Sequence, residues 1–182
     1  MYSGIRSIFR RYWAAYGGLS ALIRSPYLHI ALVLLAITTH FWSTENWWEQ
    51  PIAVLPNLLG FSLGGLAMFL SFGDERFRSV LAQPEAEGGV SAYLSLCSSF
   101  VHFIVLQVSA LAFALIARSL DFAFPWSKEF REVVVVGTRI YGAIGYLLFL
   151  YSVTAMLAAP MTVFRVCSWY EAHQQSSPPG GK

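Results

Sequence analysis

The chain has 182 residues, of which 56% are hydrophobic and only 12% are charged, and its formal net charge is +2. Soluble domains carry about 25% charged residues, so this chain has too little polar surface for a soluble globule. The small net charge gives no reason to expect binding to nucleic acid. The composition therefore excludes most soluble functions and indicates an integral membrane protein.

The first 24 residues predict an amphipathic helix that lies in the membrane interface on the cytoplasmic side. Residues 1–44 contain four arginines and no Asp or Glu. A face of aliphatic and aromatic residues opposite arginines suits the headgroup plane, where Arg6, Arg10 and Arg11 would contact anionic lipid. The alternative is that the helix packs on the protein's own bundle. Gly17 and Gly18 disfavour one continuous helix. The apolar face consists of Ile5, Phe9, Tyr12, Tyr16, Leu19 and Ile23.

Four long apolar runs follow, and each predicts a membrane-spanning helix, because about 20 helical residues cross a hydrocarbon core about 30 Å thick. The first begins after Ser25-Pro26, a capping residue followed by proline at the first helical position. The last run is too long for one span when counted from Val133, so it starts near Arg139, tilts strongly or is broken by Pro160. The predicted spans are residues 27–43, 52–72, 92–117 and 138–166.

These elements predict an all-α fold, namely an integral membrane four-helix bundle (residues 25–170) with an N-terminal amphipathic interfacial helix. Residues 171–182 are rich in serine, proline and glycine and predict a disordered tail. Four spans place both termini on one side, and that side carries more lysine and arginine near the membrane. We therefore expect cytoplasmic termini and a bacterial inner membrane. An Arg-rich, acid-poor N-terminus is also typical of mitochondrial transit peptides.

A line of polar side chains runs along the third predicted span. These side chains lie within about 40° of one line on a helix. An unpaired polar group in hydrocarbon costs several kcal/mol, so they must face other helices or water. They either line a water-accessible pathway with His102 as a gating group, or bond to backbone carbonyls at a close helix interface. The line consists of Ser91, Ser95, Ser98, His102 and Ser109.

The fourth predicted span carries Arg139 at its outer boundary. This arginine either lines an outer vestibule that favours anions or snorkels to the interface at the start of the helix.

The second predicted span carries Gly60 and Gly64, followed by Gly65. Glycines four residues apart let two helix backbones approach closely. We expect them to pack within the bundle, with association between subunits as the second interpretation. The inner end of the same span holds a charged cluster that is either a partner-docking point or a solvated helix end. The cluster consists of Asp74, Glu75, Arg76 and Arg78.

The sequence patterns that accompany catalysis are missing. No predicted span contains a carboxylate, and no group of His, Cys, Asp and Glu has metal-ligand spacing, so we expect no metal and no cofactor. Cys97 and Cys167 do not form a disulfide framework. Ser98 and His102 lie four residues apart on one predicted helix and could pair as nucleophile and base, but no acidic residue is near to orient the histidine. We therefore do not expect an enzyme.

The leading functional hypothesis is a small multi-span membrane protein that self-assembles, as a pore or a membrane-permeabilising effector. A single four-helix bundle has no room for a solvated path, so the path would lie between subunits and be lined by the third span. Small bacterial effectors that disrupt membranes offer a class-level analogy that rests on no motif. The alternative is a non-catalytic scaffold that docks a membrane or cytoplasmic protein. Expected partners are the lipid bilayer and further copies of the chain.

Overall fold

The computed structural model describes residues 2–44, 46–71, 73, 75–83, 89–121 and 128–176. Within these ranges the chain forms helices and no strand, which confirms the all-α prediction. The structure does not confirm a four-helix bundle or an interfacial N-terminal helix. The helices are α1 (Tyr2–Tyr16), α2 (Gly18–Ile23), α3 (Pro26–Ile37), α4 (Thr39–Ser43), α5 (Glu49–Ser71), α6 (Glu75–Leu81), α7 (Ala92–Ser119), α8 (Lys128–Ala155) and α9 (Ala158–Ser176).

Three of the described helices are long and apolar enough to cross a membrane. The shortest has 23 residues and extends about 35 Å, which exceeds a hydrocarbon core about 30 Å thick. These helices make the chain a membrane protein, and two of them coincide with the second and third predicted spans. They are α5 (Glu49–Ser71), α7 (Ala92–Ser119) and the Glu132–Ala155 part of α8.

The first predicted span forms a shorter helix than expected. Ser25 stands at the N-cap and Pro26 at the first helical position, as predicted, although the Ser25 side chain makes no capping hydrogen bond. The helix has 12 residues and ends at Ile37, with Thr38 as its C-cap, so it extends about 18 Å. The Trp42 indole nitrogen donates to the Leu35 carbonyl at 2.9 Å, which occupies one of the carbonyls that a helix C-terminus leaves without an intrahelical donor. One continuous helix over residues 27–43 is therefore wrong.

The fourth predicted span is also bounded differently. α8 ends at Ala155 and α9 begins at Ala158, so the predicted end at residue 166 is wrong. Pro160 explains the break, because its ring would clash with the Met156 carbonyl in a continuous helix. α9 extends through Ser176, so the first residues of the predicted disordered tail are helical, and residues 177–182 lie outside the described ranges.

α3 and the three candidate spanning helices pack mainly in the order α3, α8, α7 and α5, and α1 packs on α7. Polar contacts tie α8 to its neighbours. The Thr154 hydroxyl donates to the Tyr27 carbonyl of α3 at 2.9 Å, and the Tyr146 hydroxyl donates to Gln50 Oε1 of α5 at 2.6 Å. Lipid cannot replace such contacts, so they hold the neighbouring helices in register with α8.

α5 packs into the protein through residues at heptad spacing. Leu55, Ser62 and Phe69 are each buried, and residues seven apart lie on one helix face. Gly60 and Gly64 do not pack within the bundle, because a Cβ on either would meet nothing within 4 Å. The expectation of packing inside the bundle is therefore wrong for these two glycines. Gly65 does pack there, since a Cβ on it would lie 3.4 Å from the Phe100 ring.

The indole of Trp47, in the segment between α4 and α5, packs against a second pair of glycines. Trp47 is 7% exposed and lies against Gly142 and Gly145 of α8. A Cβ on Gly145 would overlap the Trp47 ring, and a Cβ on Gly142 would lie 2.8 Å from the Trp42 carbonyl oxygen. The absence of side chains at these positions creates the space that the tryptophan fills.

We expect the substitution Gly145→Ala to destabilise the protein by about 1–3 kcal/mol, the usual cost of overpacking a filled core. Gly137→Ala is the matched control. It adds the same methyl group to the same helix, at a position where a Cβ would meet nothing within 4 Å, and should stabilise the helix by up to about 1 kcal/mol. Equilibrium unfolding in detergent micelles measures both values. Equal stability of the two variants would contradict the close packing of Trp47 against Gly145.

Candidate functional site around His102

α7 carries an imidazole well inside its length. The helix has 28 residues and extends about 42 Å, and His102 lies about 15 Å from its first residue. The side chain is 3% exposed, so protein surrounds it. An ionisable residue within a spanning helix is costly to keep unless it is paired, which makes it a candidate for a functional role.

Three tyrosines enclose this imidazole. The Tyr12 hydroxyl lies 2.7 Å from Nδ1, and the Tyr151 hydroxyl lies 3.3 Å from Nε2. The Tyr16 ring stacks on the imidazole with ring centroids 3.8 Å apart and an interplanar angle of 19°. A neutral imidazole has one donor and one acceptor nitrogen, so one tyrosine donates to the ring and the other accepts from it.

α1 supplies two of the three tyrosines. Tyr12 and Tyr16 are one helical turn apart and face α7, and both side chains are partly buried. The helix ends directly after them, where Gly17 adopts a φ of 103° that favours glycine. The sequence prediction of a break at Gly17 and Gly18 is therefore confirmed.

The remainder of the apolar face of α1 does not contact the bundle closely. Ile5 and Phe9 are 50% and 53% exposed. Arg6, Arg10 and Arg11 on the opposite face are exposed as well. α1 therefore docks on α7 through its C-terminal part, while its N-terminal part and its arginines stay accessible.

The hydroxyls of the predicted polar line bond mostly to nearby backbone. Ser91 caps α7, because its Oγ accepts a hydrogen bond from the Leu94 backbone nitrogen at 3.2 Å. Ser98 is 3% exposed and donates to the Ser95 carbonyl at 2.7 Å. Ser95 is exposed and Ser109 is partly buried. Of the predicted line, only Ser98 and His102 have fully buried side chains.

Arg139 is separate from this cluster. Its side chain is exposed, and it lies twelve residues before Tyr151 on the same helix, a rise of about 18 Å. Helical side chains lean toward the N-terminus of their helix, so the guanidinium points toward the nearer end of α8. α8 begins at Lys128 and the candidate span at Glu132, so Arg139 lies seven residues inside the candidate span and does not mark the start of the helix as the snorkelling interpretation expected.

A second buried polar pair joins α7 to α5. Gln107 is 0% exposed, and its Nε2 donates to Ser62 Oγ at 3.0 Å. Its Oε1 has no hydrogen-bond partner among the described residues. Sequence reasoning missed this pair, although a lone amide in an apolar run could have been found by scanning the spans for polar residues. The tyrosine partners of His102 left no comparable signal, because they come from two other helices.

The predicted docking residues occupy the short helix α6. Glu75, Arg76 and Arg78 are exposed, and buried Phe77 and Leu81 hold the helix against the protein. Asp74 lies outside the described residues. Within the described ranges, no three His, Cys, Asp or Glu side chains come together as a metal site.

Comparison with protein-family models, curated proteins and solved structures found no match. The function therefore has to be inferred from the geometry of this chain alone.

The phenols of α1 are sensitive to alkaline pH. Burial, together with the neighbouring Tyr151, raises the pKa of Tyr12 to about 12, and burial raises the pKa of Tyr16 as well. A free tyrosine titrates near pH 10. The tyrosines therefore bind their phenol protons more tightly when α1 is docked on α7 than when it is released. The stabilisation of the docked state by these protonated phenols is complete below about pH 10 and is lost as the pH rises toward 12.

We expect α1 to leave α7 between about pH 10 and pH 12. A fluorophore on Ser7→Cys, in a background without Cys97 and Cys167, reports this release as a fall in anisotropy. At neutral pH Tyr12→Phe should weaken docking by about 0.5–1.5 kcal/mol, since it removes one hydrogen bond, and it should flatten the alkaline transition. Tyr93→Phe, which removes a hydroxyl from α7 itself, is the control. Identical pH curves for Tyr12→Phe and the unmodified chain would contradict the assignment.

Proposed function

We propose that the protein is a self-assembling membrane protein that permeabilises the bilayer, and that this structure is its closed form. The observation that carries the proposal is the docking of α1 on His102 through Tyr12 and Tyr16. An arginine-bearing helix with an exposed apolar N-terminal part covers the imidazole that protein packing encloses within α7.

Removal of α1 would leave His102 without its Nδ1 partner and without its stacked ring. A polar group in that position needs water or a new partner, because leaving it unpaired in hydrocarbon costs several kcal/mol. The uncovered face of α7 would therefore favour contact with a water-filled space or with the same face of another chain. This requirement couples the release of α1 to assembly around a polar path.

The energies that hold and release α1 are similar in size. One hydrogen bond contributes about 0.5–1.5 kcal/mol, and one aromatic pair contributes about 0.5–1.5 kcal/mol. Each arginine near an anionic membrane surface contributes about 1 kcal/mol, and α1 has three that are exposed. A change in surface charge can thus shift α1 between α7 and the headgroups. In the released state α1 would take the interfacial position that its sequence predicts.

The outward face of α5 supports association between chains. Gly60 and Gly64 face open space, with Phe61 and Leu63 exposed beside them. Small residues at this spacing allow two helices to approach closely enough for extensive van der Waals contact. This face fits the subunit-association interpretation of the two glycines.

Dye release from liposomes that contain the purified protein tests the proposal. We expect Tyr12→Phe combined with Tyr16→Ala to increase release from anionic vesicles by about tenfold, because it removes about 1.4 kcal/mol or more of docking energy. His102→Leu should alter the release and its pH dependence, because leucine removes the polar group from the path. Tyr93→Phe should match the unmodified protein.

If vesicles stay tight with the unmodified chain and with the α1 variants at every pH and voltage, the permeabilising function is wrong. The scaffold alternative then gains weight, and α6 is the observation that favours it. Buried Phe77 and Leu81 hold this helix in place while Glu75, Arg76 and Arg78 remain exposed. In that case charge reversal at Arg76 and Arg78 should abolish co-purification of a partner protein.

We also propose that α3 and α4 together complete a fourth crossing, which places both termini in the cytoplasm. Residues 26–43 rise about 27 Å as helix, close to the thickness of the hydrocarbon core. Thr44→Cys should then react with a membrane-impermeant maleimide only from outside intact cells, whereas Ser79→Cys should react only after permeabilisation. Reaction of Thr44→Cys only from the cytoplasmic side would overturn this topology.

A further inference from the structure

The apolar face of residues 2–23 has the period of one continuous helix, although the structure breaks this segment at Gly17. Successive residues of the face are four, three, four, three and four positions apart. On an unbroken helix they would lie within about 40° of one line. Gly17 and Gly18 would lie on the opposite face beside the arginines. The apolar face consists of Ile5, Phe9, Tyr12, Tyr16, Leu19 and Ile23.

The structure turns the two halves of this face in different directions. Tyr12 and Tyr16 face α7, whereas Leu19 and Ile23 are 60% and 56% exposed. On α2 it is Leu22 that packs against the buried core, and Leu22 lies about 100° from Ile23 around the helix. The break therefore lets α1 dock on α7 while α2 packs on the protein through a different face.

Two glycine conformations produce the break. Gly17 has a φ of 103° and Gly18 a φ of 65°, and both lie in the left-handed region. Glycine adopts such angles about as readily as right-handed ones, whereas a residue with a side chain is disfavoured there about tenfold. A Cβ on Gly17 would also lie 3.0 Å from the Cβ of Ala21. The segment can therefore be bent or straight only because glycine stands at these two positions.

We infer that residues 2–23 form one straight amphipathic helix on an anionic membrane surface, with Gly17 and Gly18 as the hinge. The inference rests on the proposed release of α1 from α7. The straight helix extends about 33 Å. It turns its whole apolar face toward the hydrocarbon and its arginines toward lipid phosphates.

The charge of the segment selects an anionic partner. Residues 1–44 contain no Asp or Glu, so no acidic side chain within the segment competes with lipid phosphates. Each arginine strengthens binding to an anionic surface about fivefold. On the straight helix Arg24, which follows α2 directly, lies on the same side as Arg6. The exposed arginines are Arg6, Arg10, Arg11 and Arg24.

A straight segment is incompatible with the docked position of Tyr12 and Tyr16. α2 is fixed at its far end, because Arg24 and Ser25 alone join it to α3 and α3 packs on α8. While Leu22 holds α2 on the core, a change of both glycines to right-handed angles turns α1 relative to α2 and takes the tyrosines off α7. Docking and surface binding therefore exclude each other.

The distance between two spin labels on either side of the hinge tests the inference. Ser3→Cys and Ser20→Cys, both at exposed positions, carry the labels in a background without Cys97 and Cys167. The full chain is reconstituted in vesicles and measured by double electron–electron resonance. A straight helix places the two Cα atoms about 26 Å apart, and a bend brings them closer. We expect only the shorter distance in phosphatidylcholine and a second population near the longer distance in phosphatidylglycerol.

Alanine at the hinge should shift the same equilibrium without a change of lipid. At a phosphatidylglycerol content where the unmodified chain shows mainly the short distance, we expect Gly18→Ala to raise the ratio of long to short distance about tenfold. Adding Gly17→Ala should leave almost only the long distance. Gly18→Asn should shift the ratio less than Gly18→Ala, because asparagine tolerates left-handed angles.

Gly4→Ala is the matched control for the hinge variants. It adds the same methyl group to α1 at a position where a Cβ would meet nothing within 4 Å, and it should leave the ratio unchanged. An equal rise in Gly4→Ala and Gly18→Ala would show that helix propensity, and not a hinge, sets the ratio. That result would overturn the inference.

Two further results would overturn it. A short distance in phosphatidylglycerol, while the anisotropy of the Ser7→Cys fluorophore reports release of α1, would show that the segment stays bent on the surface. Dipolar coupling between chains that carry only the Ser20→Cys label, appearing together with the long distance, would identify a second copy as the partner in place of lipid.

The proposed function fails by a different result. Vesicles that retain their dye while the long distance appears would reject permeabilisation and support the hinge. A short distance with α1 still docked in pure phosphatidylglycerol would reject both the release of α1 and the straight helix.

Discussion

Inside a bilayer no water is available to hydrogen-bond a polar side chain, and this constraint determines how the helices of this protein pack. Each buried polar group in the spans has to find a partner in the protein. Tyr146 meets Gln50, Thr154 meets the Tyr27 carbonyl, and His102 sits between tyrosines of two other helices. Apolar packing alone would let these helices slide or rotate against one another, because an apolar side chain is solvated as well by lipid as by another apolar side chain. The few polar contacts remove that freedom.

The same constraint makes the His102 cluster both a structural contact and a candidate switch. One of its two hydrogen-bond partners belongs to a helix whose remaining surface suits the headgroups. In the proposed permeabilising mechanism α1 is attracted both to α7 and to the headgroups by forces of similar size, and it can bind only one of them at a time. On that proposal α1 responds to changes at the membrane surface, while α8, which is held at several points, does not move.

The glycines show that a close helix contact requires a neighbouring element to approach, and not only a missing side chain. Gly60 and Gly64 match a known association pattern, yet they face outward. Gly142 and Gly145 do not have this spacing, yet Trp47 packs against both of them. A glycine packs closely only where another element happens to approach it, and that approach is decided by the connections and by neighbouring helices.

The sequence alone determined the membrane class, the helical secondary structure, two long apolar helices with nearly correct limits, and the interruption at Gly17. It left a break at Pro160 as one of three explanations for the overlong last run. These features depend on local properties, namely apolar length, missing charge and the backbone limits of glycine and proline. The polar residues of α7 were visible too, but their partners were not. Tyr12, Tyr16 and Tyr151 reach His102 from helices far away in the chain, and Gln107 finds Ser62 on another. Only the tertiary structure decided these pairings, because a contact between distant segments depends on how whole helices are oriented relative to one another. The periodicity within one helix does not determine that orientation.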